Sequence, residues 1–196
     1  MCAWWDMRVQ VAPRVPRICL PGKRVTSPDI NLILDLDETL VHCSVDPIHD
    51  ADVQFPVAFN GTNYQVYVRK RPYLDKFLQW IAGRFEVTIF TASQQVYAER
   101  LLNLLDPEGK YINHRLYRDS CLNVDGNYLK DLNVLGRDLT KTVLVDNSPH
   151  AFGYQVWCAA RARARAHASK HANVHTPCVS ARMYACVRAD THGVCT

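Results

Sequence analysis

Two aspartates separated by one residue, Asp35 and Asp37 in the stretch DLDET, follow directly on the apolar run Asn31–Leu34. Side chains of an extended chain alternate with period two, so both carboxylates project to one side where the strand ends. Carboxylates this close repel, and both stay ionised only with a cation between them. A divalent ion held by oxygen ligands, Mg²⁺ above all, meets that need. A D-x-D pair alone is equally a polar cap on a strand. The other segments decide between the two readings. Thr91 follows the strand-like run FEVTIF, Lys130 lies in GNYLKDL, and Asp146 with Asn147 follows TVLV. A carboxylate pair, hydroxyls from Thr39 and Thr91, a lysine and an acid–amide pair brought to one sheet edge have the make-up of a phosphoryl-transfer site. Charge and hydrogen-bond donors there neutralise phosphate oxygens.

The elements that must carry these residues are legible in the pattern. Asn31–Leu34 and Thr142–Val145 read as short buried parallel strands ending in acids. Val53–Phe59 and Thr62–Val68 flank Asn60-Gly61, a hairpin signal, because a type I′ turn needs positive φ at both central positions. After Arg71-Pro72, the stripe Leu74, Phe77, Leu78, Ile81 predicts a helix with Gly83 beyond its end. Phe85–Phe90 reads as a strand. The helix that follows starts near Ser93, carries Val96, Tyr97, Leu101, Leu104 and Leu105 on one side, and stops at Asp106-Pro107. His114–Arg118 and Cys121–Val124 read as short strands, with Asp125-Gly126 as a turn. Strands alternating with helices predict an α/β domain with a mostly parallel sheet, whose ligands sit at the carboxyl ends of the strands.

The chain has 196 residues, 48% apolar and 21% charged, a globular composition. Its net charge of +4 is unevenly spread. Residues 1–30 hold five basic and two acidic side chains; residues 31–156 hold twelve and sixteen; residues 157–196 hold six and one. The central block is mildly acidic, so the sequence predicts no direct nucleic-acid binding. No apolar run approaches the ~20 residues of a membrane span, and the first residues lack the apolar core of a signal peptide. These features predict a soluble intracellular chain with reduced thiols. There is no C-x-x-C pair for a zinc module. His42-Cys43 lacks the arginine that a cysteine phosphatase loop requires, His49 standing in its place, so Cys43 reads as a packed thiol. Arg69, Lys70 and Arg71 fit either an acidic substrate or a solvated helix entrance. Three regions result: an irregular basic arm at 1–30, a domain at 31–156, and a low-complexity Ala/Arg/His/Cys tail at 157–196 for which the composition predicts disorder.

Five blocks in order, LILDLDETLVHCS, VYVRKRPYLDKFL, FTAS, GNYLKDLNVLGRDL and VLVDNSPHAF, resemble the haloacid-dehalogenase-like phosphatases of the small C-terminal-domain phosphatase group over roughly Leu32–Gln155. The resemblance implies a haloacid-dehalogenase-like sheet flanked by helices, with a small β insertion matching the short strands at 113–129. It implies an aspartyl-phosphate mechanism on phosphoserine or phosphothreonine, with Asp35 as nucleophile and Asp37 as general acid, then base. Thr91 and Lys130, with Thr39, would hold the phosphate. Mg²⁺ would be bound by Asp35, the Asp37 carbonyl and Asn147, with Asp146 alongside. Substrates would be phosphorylated peptide segments such as the RNA polymerase II tail, met by a monomer in the nucleus or cytoplasm. The strand and helix that end the family domain are replaced here from about Val156. A truncated product that binds phosphopeptides without turnover is therefore the alternative reading.

Overall fold

The computed structural model describes residues 17–151, so the expectations for the first arm residues and for the tail lie outside the described residues. The central sheet is wholly parallel. Its order is β6 (His114–Leu116), β5 (Glu86–Phe90), β1 (Asn31–Leu34), β9 (Thr142–Val145). Asn31 pairs with Glu86 on one side and Thr142 on the other, so β1 and both neighbours end in step. The ladder continues one residue further, where the Asp35 N–H donates to the Val145 carbonyl at 3.0 Å. Every residue of β1 and β5 is buried, as expected of strands covered on both faces.

The two faces are covered unequally. Leu32, Leu34, Val87 and Ile89 belong to a large cluster closed by α1 (Leu74–Ile81) and α2 (Gln95–Leu105), with Leu74, Leu78, Ile81, Ala98, Leu101 and Leu105 turned inward. Ile33, Phe90 and Leu144 face the other way, onto Leu20 and the one-turn 3-10 helix Leu132–Leu135. Among the described residues that second face is thin. It is held partly by Leu20, whose segment is pinned where the Cys19 N–H donates to the Val134 carbonyl at 2.7 Å. A Cβ on Gly136, which caps the 3-10 turn at φ 59°, would lie 2.9 Å from Ile18 Cγ2 and displace that side chain, and the left-handed backbone itself favours glycine.

The helix boundaries follow local chemistry. Gly83, at φ 72°, turns the chain just after α1, with Arg84 and Phe85 N–H groups donating back to the Ile81 carbonyl. Asp106 ends α2, and its buried carboxylate accepts from the N–H groups of Lys110, Tyr111 and Ile112. Phe77, Val96 and Leu104 of the two apolar stripes remain partly exposed.

The small β insertion expected at 113–129 is present in part, as the antiparallel hairpin of Leu122–Val124 with Asn127–Leu129. A larger antiparallel sheet lies between β1 and α1, where β2 (Val41–Ser44), β4 (Thr62–Lys70) and β3 (Val53–Phe59) form a three-stranded sheet in that order. Its Asn60-Gly61 turn has φ of 51° and 77°, as the type I′ reading requires. Within 113–129, His114–Leu116 joins the central sheet beside β5, and β7 (Leu122–Val124) with β8 (Asn127–Leu129) makes the hairpin. The run VHCS, short and broken by polar residues, carries too little alternation to be read as a strand.

At the amino ends of the strands a buried carboxylate organises the sheet. Glu86 accepts from Arg137 Nη2 at 2.7 Å and Nε at 3.0 Å, lies 3.0 Å from His114 Nε2, and lies 3.4 Å from Lys23 Nζ. Burial opposes its ionisation, yet the hydrogen bonds from Arg137 and His114 win and hold it down at about 2, against an ordinary 4.5. A depressed carboxylate contributes stability that is fully present above its unfolded value and is lost as pH falls through the folded one. Chemical denaturation should therefore show stability declining between roughly pH 4.5 and 2. Glu86→Gln should cost about 2 kcal/mol at pH 7 and flatten that decline.

Candidate active site

The carboxyl edge of the sheet collects the residues singled out above. Asp35 follows β1, Thr91 follows β5, and Asp146 and Asn147 follow β9. Lys130 comes from the end of the β7–β8 hairpin, where its N–H donates to the Ala151 carbonyl at 2.8 Å. Its side chain is 2% exposed, and its Nζ lies 2.5 Å from both Asp35 Oδ1 and Asp146 Oδ2. Thr39 Oγ1 donates to Asp35 Oδ2 at 3.2 Å and lies 3.5 Å from Asn147 Oδ1. Asp35, Thr39, Asn147, Lys130 and Asp146 thus form one connected polar group. Two carboxylates face one ammonium, leaving one negative charge uncompensated. Burial is the largest influence on Asp35 and pushes its carboxyl above the ordinary 3.8; Lys130 opposes this and Asp146 adds to it.

The loop after β1 is built to present these groups. Glu38 adopts φ 61°, its N–H donates to the Val41 carbonyl at 2.7 Å, and Leu40 and Val41 N–H groups return to the Leu36 carbonyl. Arg71 locks the turn from outside. Its Nε donates to the Thr39 carbonyl at 2.5 Å and its Nη2 to the Glu38 carbonyl at 3.0 Å. Of the basic trio, Arg69 pairs with Asp50 and Lys70 with Asp75. Arg71 is therefore a brace for the aspartate loop, and its two neighbours already have acidic partners within the chain.

Asp37 belongs to a second group. Ser93 Oγ donates to its Oδ2 at 2.5 Å and Tyr97 OH to its Oδ1 at 2.6 Å. Ser93 N–H donates in turn to Thr91 Oγ1 at 3.0 Å, which ties the buried Thr91 hydroxyl to the Asp37 side of the site. Tyr97 OH lies 2.7 Å from Cys43 Sγ. Burial pushes the Cys43 thiol up to about 12 and raises the Tyr97 phenol, each reinforced by the nearby Asp37 carboxylate. Both stay protonated at neutral pH, and Cys43 is the inert packed thiol its setting predicts. Cys121, its Sγ 3.7 Å from the Thr91 carbonyl, is likewise raised by burial, to about 11.

Ser93 and Tyr97 are the site residues that sequence reading missed. Ser93 stood inside FTAS two residues beyond Thr91, a usable signal. Tyr97 was indistinguishable from the apolar face of α2. From Asp37 a cleft of about 320 Å³ opens between the three-stranded sheet and the start of α2, lined by Val45, Val57, Phe59, Tyr64, Val66 and Val96 with Arg118 at its rim. Arg118 Nε donates to the Ala92 carbonyl at 2.6 Å and its guanidinium stacks on Tyr128.

A parallel sheet with these polar groups at its carboxyl edge and an antiparallel insertion after the first strand defines a haloacid-dehalogenase-like phosphatase fold. The family model of NLI interacting factor-like phosphatases matches residues 30–160, and the chain belongs to that family. It is 60% identical over 141 residues to CTD small phosphatase-like protein 2 of Dictyostelium discoideum, covering 72% of this chain and 25% of that protein. It is 50% identical over 147 residues to CTD small phosphatase-like protein 3 of Caenorhabditis elegans, covering 75% and 50%. Among solved structures it resembles the fission yeast RNA polymerase II CTD phosphatase Fcp1 bound to beryllium fluoride, with TM-score 0.56 and 25% identity over 64% of this chain and 39% of that one. The chain spans a quarter to a half of the length of these curated relatives.

The buried ammonium between two carboxylates yields a direct test. Lys130→Met should destabilise the protein by about 3 kcal/mol or more at pH 7 in EDTA, because it leaves Asp35 and Asp146 buried without a counter-charge. Urea denaturation should show the deficit shrinking as pH falls and the carboxylates take up protons.

Proposed function

We propose that this chain is a metal-dependent protein serine/threonine phosphatase that works through a phosphorylated Asp35 on phosphopeptide segments such as the RNA polymerase II tail. The observation that carries the reading is Asp35 itself. It is a buried carboxylate held by Lys130 and Thr39, two residues from a second carboxylate that borders an open cleft. A phosphorylated side chain entering from the cleft meets Asp35 as nucleophile. An Asp35 oxygen bonds to phosphorus, the bond from phosphorus to the serine oxygen breaks, and the electron pair leaves on that oxygen. Asp37 supplies the proton that makes it an alcohol. Asp37 then takes a proton from water, whose oxygen bonds to phosphorus as the bond from the Asp35 oxygen to phosphorus breaks, restoring the carboxylate and releasing inorganic phosphate. Lys130, Thr91 and Thr39 hold the phosphate oxygens by charge and hydrogen bonds.

The residues fit a hard divalent cation by their chemistry. The donors are oxygens, Asp35 and Asn147 approach one Thr39 hydroxyl from two directions, and the group carries an unneutralised negative charge. Among the described residues no cluster of three His, Cys, Asp or Glu side chains forms a metal cage. The site would therefore rest on Asp35, Asp146, the Asn147 amide and the Asp37 carbonyl. Mg²⁺ bound there supplies further neutralisation of phosphate oxygens. The apolar lining of the cleft next to Asp37 suits a peptide with an apolar residue beside its phosphoserine. In this reading residues 31–156 are the catalytic unit, and the enzyme acts as a monomer in the nucleus or cytoplasm.

The test is phosphate release from a phosphoserine peptide by the full chain. Release should require Mg²⁺, stop in EDTA, and fall at least about a thousandfold in Asp35→Asn. Folded protein that binds the peptide without releasing phosphate would instead support a binding role.

A further inference from the structure

Asp37 is gripped at both carboxylate oxygens by donors from a different part of the fold. Ser93 stands on the connection leaving β5, and Tyr97 on the first turn of α2. Neither is loosely placed. The Tyr97 ring stacks on Phe55 of β3, centroids 6.2 Å apart and planes 17° from parallel. α2 beneath it is anchored by the buried Ala98, Leu101 and Leu102. Asp37 sits on the loop that Arg71 braces at the Glu38 and Thr39 carbonyls, with an isolated bridge to Val41. Those contacts hold its backbone, and the two hydroxyls hold its carboxylate.

We propose that Tyr97, assisted by Ser93, is the positioning residue for Asp37 in the reaction, fixing the carboxyl so that it delivers its proton to the leaving oxygen. The assignment rests on the phosphatase reading above. A phenol has one proton, and between the Asp37 carboxylate and the Cys43 sulfur the carboxylate is the stronger acceptor. Each Asp37 oxygen spends one lone pair on a hydroxyl and keeps a second, where the transferable proton resides. When that proton passes to the leaving oxygen, Asp37 is left anionic, and the two charge-assisted hydrogen bonds strengthen at that moment. Their contribution is thus made where the leaving group must be protonated. A serine leaving as an alkoxide needs that proton. A nitrophenol leaving as a stable phenolate does not.

The contrast supplies a readout that general loosening of the fold would not move. Ser93 and Tyr97 also line the cleft, so the peptide carries alanines beside its phosphoserine and cleft contacts do not enter. kcat/KM covers steps through cleavage of the substrate ester, so later hydrolysis of the aspartyl phosphate, common to both substrates, does not mask it. In the full chain with Mg²⁺, Tyr97→Phe should lower kcat/KM for a phosphoserine peptide by about tenfold or more. For p-nitrophenyl phosphate the fall should be clearly smaller, about threefold at most. Ser93→Ala should show the same asymmetry. Equal losses on both substrates, or no loss on the peptide, would overturn the assignment while leaving the phosphatase reading standing. Wild-type protein without Asp35-dependent release from either substrate would overturn that reading and the assignment with it.

Discussion

A lysine ammonium with a carboxylate 2.5 Å away on each side is the contact on which the carboxyl edge of this sheet depends. Lys130 ties the hairpin β7–β8 to the ends of β1 and β9, which are themselves paired in the parallel ladder. An unpaired ammonium at 2% exposure would be untenable, and so would two neighbouring buried carboxylates without it. The interaction is nevertheless incomplete, since one ammonium cannot balance two carboxylates. A structure built for stability alone would close that balance. Here the residual negative charge lies two residues along the chain from Asp37, which borders the open cleft, and in the proposed reading a divalent cation would balance it. The cost of keeping such a group buried is met by the apolar clusters on the two faces of the sheet.

The site divides into two halves with different mechanical support. Asp35 and its partners are fixed by the parallel ladder, which continues through the Asp35 N–H into β9. Asp37 is fixed by side chains, from the N-terminal turn of α2 and from the three-stranded insertion that backs Tyr97 through Phe55. The same insertion forms one wall of the cleft. Arg71, in the turn between β4 and α1, joins the halves by holding the carbonyls of Glu38 and Thr39. One half thus holds the proposed nucleophile rigidly in the sheet. The other places Asp37, the proposed acid–base group, at the border of the cleft.

Much of this arrangement was legible from residue order. Apolar runs ending in acids marked β1 and β9, and Asn60-Gly61 marked the hairpin, because in each case a local rule and the tertiary demand coincide. That Asp35, Thr91 and Asp146 stand at one edge followed from the rule that parallel sheets place ligands at their carboxyl ends. Two things were not legible. VHCS pairs with β4 across a long loop, and a four-residue strand of mixed polarity has no pattern of its own. Tyr97 reads as one more large residue on the buried side of α2, since periodicity places a side chain on a face without saying what its terminal hydroxyl meets. Glu86 also escaped notice for this reason. Its partners Arg137, His114 and Lys23 are distant in sequence and meet only in the folded chain.

The central claim is that Asp35 carries the phosphoryl group, and the most direct measurement is to catch it there. A peptide phosphorylated with a radioactive phosphate would be mixed with the full chain and Mg²⁺ and quenched in acid within milliseconds to seconds. The account predicts label bound to protein as an acyl phosphate, released by hydroxylamine, mapped to the segment containing Asp35, and absent from Asp35→Asn. Phosphate released at the wild-type rate with no labelled protein at any quench time, or label retained by Asp35→Asn, would contradict it.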